Sequence, residues 1–117
     1  MTRENYIHFD QPMIKLARAI DEFEGIQTVQ VNEGKPNEQW IVFFTVAHNE
    51  HGWRALEFLA WIAQDYGLWI AASAPPPYLN EPGNCLCFWL RGAYGKQNKL
   101  ANWINHLRKD YIAPEEN

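Results

Sequence analysis

Ile26-Gln27-Thr28-Val29-Gln30-Val31, Asn32-Glu33-Gly34-Lys35-Pro36-Asn37-Glu38 and Trp40-Ile41-Val42-Phe43-Phe44-Thr45-Val46 form the stretch on which the fold turns. The first segment alternates apolar and polar residues, the period of a strand with one buried face. The middle segment holds Gly34 and Pro36, which interrupt regular structure. The last segment is dense in aromatic and β-branched residues, which pack well on a pleated surface. Two such runs around a short turn predict an antiparallel hairpin.

On the N-terminal side of the hairpin, Met13, Leu16, Ala17, Ile20 and Phe23 recur at helical spacing, with Lys15, Arg18, Asp21 and Glu22 opposite them. This is the pattern of an amphipathic helix. Asp10 is its expected N-cap, Pro12 lies in its first turn, and Gly25 ends it. Residues 1–10 read as an irregular lead-in.

On the C-terminal side, Ala47–Gly52 is a polar connection to a second helix over Trp53–Tyr66. Leu56, Leu59, Ala60 and Ala63 make its stripe, and Phe58, Trp61 and Ile62 widen it, which predicts burial on more than one side. Gly67 closes that helix. Leu68–Ala72 is continuously apolar and reads as a central third strand covered on both faces. Pro75-Pro76-Pro77 through Gly83 is a loop, because proline fixes φ and removes a donor. Asn84–Arg91 is the fourth strand and Gly92–Gly95 a turn. Lys96–Tyr111 is a third helix, striped by Leu100, Trp103, Ile104, Leu107 and Tyr111. A disordered tail is expected over 113–117.

The order is α-β-β-α-β-β-α. Its natural packing is a single two-layer α+β domain over residues 1–112, a four-stranded, mostly antiparallel sheet with three helices. A helix on the second face of the third strand would turn it into three layers.

Composition bounds the function. A chain of 117 residues is one domain that buries roughly two thirds of its unfolded surface. Formal net charge is −4, which argues against nucleic acid as a partner, since phosphate binding needs a positive surface. No apolar run approaches the roughly 20 residues that span a bilayer, so no membrane association is expected. The opening Met1-Thr2-Arg3-Glu4-Asn5 lacks the apolar core of a signal peptide, and two cysteines are too few for a disulfide scaffold. The expected location is cytoplasmic.

Six tryptophans among 15 % aromatic residues are the outstanding feature. Such a number of large rings strains one small core, which predicts that some line a working surface. On strands, Trp40 and Phe44 share one face and Phe43 takes the other, and Phe88 and Trp89 split likewise. An aromatic sheet face drawn from Trp40, Phe44, Trp69 and Trp89 is the preferred binding surface, for a protein partner or for a second copy in a homodimer.

The alternative site is the start of the second helix, His48-Asn49-Glu50-His51-Gly52-Trp53-Arg54. Helix N-termini attract anions, and His48, His51 and Arg54 could bind one or exchange protons near neutral pH. The plainer reading is a capping loop with Asn49 or Glu50 near the cap.

Cys85-Leu86-Cys87 together with the two histidines has zinc-like chemistry but the wrong spacing, so no metal or cofactor is expected. The Ser73–Asn80 proline loop reads as structural rather than as a ligand for a proline-recognising domain. Residues 1–50 hold eight acids and four bases, whereas Arg91, Lys96, Lys99, Arg108 and Lys109 make the 91–109 segment basic. That segment reads as a solvated helix face.

Phosphate-loop and Gly-x-Ser-x-Gly patterns are missing, and Ser73 is the single serine. The sequence therefore favours a small non-catalytic binding domain. A ligand-binding protein or enzyme at the second helix, and an acidic accessory or phage-type regulator docking on a larger protein, are the alternatives.

Overall fold

Helix α1 (Gln11–Asp21) leads into strands β1 (Ile26–Asn32) and β2 (Gln39–Ala47), helix α2 (Glu50–Tyr66), strands β3 (Trp69–Ser73) and β4 (Cys85–Ala93), and helix α3 (Gln97–Leu107). A 3-10 turn over Arg108–Asp110 follows. The computed structural model describes residues 11–34, 38–73 and 85–114, without the side chains of Cys85 and Leu86. The expected Asp10 cap, the lead-in over 1–10 and the proline loop lie outside the described residues. So does the tail from Glu115, whereas Pro114 just before it is buried.

The element order is the one expected, and the strands form one antiparallel sheet in the order β1-β2-β4-β3. Helix α1 buries Met13, Leu16, Ala17 and Ile20, which its spacing predicts, and Ile14 and Ala19 beside them. It stops at Asp21, one turn before Gly25. The Asp21 carboxylate instead accepts a hydrogen bond from the Thr28 amide at 2.5 Å, which ties the helix end to β1.

Gly25 adopts φ +90°, and a Cβ there would lie 2.6 Å from the Gly52 amide nitrogen. Glycine is needed on both counts. The contact, with the Ala47 amide donating to the Gly25 carbonyl at 2.7 Å, pins the start of α2 beside the start of β1.

Strand β1 is not a simple alternation. Thr28 pairs with Phe44 and Gln30 with Phe43, so Val29 is the extra residue of a β-bulge. The bulge corrects the phase of the strand. Ile26 and Thr28 before it and Val31 after it all turn inward and are buried.

The core lies between this inward face and the helices. Trp40, Val42, Phe44 and Val46 of β2 have no exposed surface and pack with Leu90, Leu59, Ile62, Leu100 and Ile104. Gly92 sits across from Trp40 in register, and a Cβ there would come within 2.5 Å of the indole. The core cluster contains no outward-facing strand residue, so all three helices pack on one side of the sheet and the fold has two layers.

Three expectations are corrected. Strand β3 is an edge strand, not a central one, and none of its residues is buried. Its apolar run reflects Trp69 and Ala71 packing across the open face, a pattern that two-sided burial would also give. Helix α2 is buried on one side only, with Trp53 44 % and Trp61 68 % exposed. Trp40 and Phe44 belong to the core face and cannot take part in a surface with Trp69 and Trp89, because β2 alternates and the helices cover its even-numbered side.

Candidate functional site

The outward face of the sheet follows from the registers. Trp69 stands opposite Arg91, Arg91 opposite Ile41, and Trp89 lies between Phe43 and Ala71. The Arg91 guanidinium sits between two indoles, its carbon 5.0 Å from the centre of Trp69 and 4.7 Å from that of Trp89. Each cation–π contact is worth about 0.5–1 kcal/mol at an exposed site and more when desolvated. Trp69 is 52 % exposed. Phe43, Ile41, Trp89 and Arg91 are half-buried.

Charge is the second property of this face. Gln27, Gln30 and Asn32 of β1, and Thr45, Cys87 and Ser73 toward one end of the other strands, are uncharged. Among the described outward side chains of all four strands, Arg91 is the single ionised one. Surfaces in contact with water are normally rich in Lys and Glu, whereas interface centres are depleted in them and enriched in Trp and Arg. Arg91 makes no hydrogen bond or ion pair among the described residues, and its Nε is buried without a partner.

The start of α2 is built differently. Asn49 is the N-cap, its side chain accepting from the Gly52 amide at 3.0 Å, as the capping-loop reading expects. Gly52 has no room for a Cβ against the Ala47 carbonyl. The three expected site residues turn to three different places. His51 Nδ1 lies 3.3 Å from the Glu24 carboxylate. The His48 ring meets Trp53 edge-on at 6.0 Å. Arg54 lies 3.7 Å from Glu50 and donates to the Ile112 carbonyl at 3.4 Å.

Arg54 does line a shallow groove of about 510 Å³ between α2 and the C-terminal segment, with Trp53, Phe58, Trp61, Tyr111 and Ile112. Glu50, Glu57 and Asp110 rim it, and neither His48 nor His51 lines it. Burial raises the Tyr111 hydroxyl above its ordinary pKa, Arg54 lowers it and Glu24 raises it.

The basic segment is partly structural. Arg108 donates to the Ala19 carbonyl at 3.0 Å and to Asn105 at 2.6 Å, which ties α3 to α1. Lys96, Lys99 and Lys109 are exposed. Cys87 is buried between Thr45 and Ser73. Among the described residues no group of three or more His, Cys, Asp or Glu could hold a metal ion. No helix among them is long and apolar enough to cross a membrane.

Sequence reasoning missed Arg91 as a site residue. The available signal was its i, i+2 spacing from Trp89, which puts both on one strand face. The Trp69 partner needed the register. The α2 groove was also missed, although Trp53, Glu57 and Trp61 recur on one helix face. No protein-family model matches the chain, and no curated protein and no solved structure matches it either.

Proposed function

We propose that this chain is a non-catalytic binding module whose working surface is the outward face of its sheet, centred on Trp69, Trp89, Arg91 and Phe43. The observation that carries the reading is a four-stranded face with one charge among its described side chains, and that charge held between two indoles. Aromatic and arginine anchors in a charge-poor patch are the composition of an interface centre. Two occupants have to be told apart on such a face, a partner protein and a second copy that would make a homodimer. A cytoplasmic place of work goes with this reading, its support being the low cysteine content.

Photo-crosslinking from position 71, in the middle of the face, tests it against position 99 on the exposed side of α3. Expected is a discrete adduct from position 71 alone, and its mass tells a second 13.7-kDa copy from another protein. Equal adducts from both positions, or none from position 71, would count against the face.

The groove beside α2 supports a second reading, a small-ligand site that uses Arg54 between Trp53 and Tyr111. In that case a small carboxylate anion that binds the native chain loses its site in Arg54→Ala and keeps it with alanine at His48 and His51, because neither histidine lines the groove.

A further inference from the structure

We infer that the occupant of the sheet face is a protein segment that presents a carboxylate, from Asp or Glu, flanked by apolar side chains. This rests on the reading of the face as the working surface and names its partner chemistry.

The argument starts from Arg91. A guanidinium carries its N–H donors in its own plane, and two indole faces satisfy none of them. Trp69 and Trp89 hold the group from the sides, so its donors stay committed to nothing in the described chain. A planar fork fixed in this way is preorganised for two parallel hydrogen bonds to a carboxylate. Phe43 and Ile41 beside it supply apolar area for the flanking residues.

Charge decides against the other occupants. A nucleic-acid strand needs a row of cations to displace its counterions, and the described residues of this face offer one, on a chain of net charge −4. Two copies stacked face to face would bury two Arg91 groups with no acid among the described residues of either face to receive them. Unpaired buried charge is strongly unfavourable. A different surface that brings its own acid resolves both problems.

Selection of a phage-displayed random dodecapeptide library on the immobilised full chain tests the inference. Retained binders are those lost on the Trp69→Ser/Trp89→Ser chain, shown folded by circular dichroism. Ala71→Glu, which keeps both indoles and puts a competing carboxylate on the face, is the second counter-selection. The expected consensus holds Asp or Glu between apolar residues. Changing that acid to its amide weakens binding to the native chain about tenfold or more and changes nothing on Arg91→Gln, as loss of one charge-assisted contact requires. Face binders without an acid, or an amide penalty that persists in Arg91→Gln, overturn the carboxylate and leave the face reading standing. If no binder depends on either set of face substitutions, both fail.

Discussion

Trp40 and Trp69 are the same residue type on neighbouring parts of one sheet, and they do opposite things. Trp40 fills the core with no exposed surface, while Trp69 is half-exposed over Arg91. Trp40→Ala therefore leaves a large cavity against Gly92 and Val42, and is expected to cost about 3–5 kcal/mol. Trp69→Ala loses a ring contact at the surface and is expected to cost less than about 1 kcal/mol. Urea denaturation of the two variants checks this, and equal losses would contradict the assignment of faces. The alternation itself was legible: it separated Trp40 and Phe44 from Phe43, and Phe88 from Trp89. Which of the two sets faces the helices was not, because both are equally aromatic and parity carries no sign. Arg91 was legible only as one cation of a basic segment, since its role depends on a strand pairing with Trp69 that local pattern does not contain.

At the scale of elements, spacing and caps mark the helices, and their ends depend on tertiary contacts that spacing does not contain. Asn49 shows why α2 begins where it does. Its side chain satisfies the Gly52 amide, one of the donors a helix start leaves unpaired. Asn49→Ala is expected to lower stability by about 1 kcal/mol without altering the sheet face. Chemical denaturation reads the first effect and the fluorescence of Trp69 and Trp89 the second. Strand β1 makes a different point. Its sequence looks like an alternating strand, yet strict alternation would put Val31 on the face opposite Ile26. The bulge at Val29 repairs this, so deletion of Val29 leaves Ile26, Thr28 and Val31 in one uninterrupted phase. The shortened chain is expected to fold with both the Ile26–Val46 and the Val31–Val42 pairings, read as cross-strand contacts by NMR. Loss of either pairing would show that the extra residue is needed. Strand β3 looks central in sequence and lies at the edge for a related reason. A continuous apolar run is produced both by burial on two faces and by a half-buried, helix-facing side backed by an aromatic surface.

The whole molecule puts all three helices on one side of its sheet and leaves the other side with one charge among its described side chains. A sheet face of this composition that no helix covers tends to associate with itself unless something opposes it. Here Arg91 has that position. Face-to-face pairing would desolvate two guanidinium groups without a counter-ion, so the native chain is expected to sediment as a single 13.7-kDa species at micromolar concentration. Arg91→Leu removes the obstacle and joins Trp69, Trp89, Ile41 and Phe43 into unbroken apolar surface. That variant is expected to show concentration-dependent dimerisation or precipitation, while Arg91→Lys, which keeps the charge, stays monomeric. Sedimentation equilibrium of the three chains decides the matter. A stable dimer of the native chain, unchanged by Arg91→Leu, would mean that the charge does not govern the face and that self-association uses another surface.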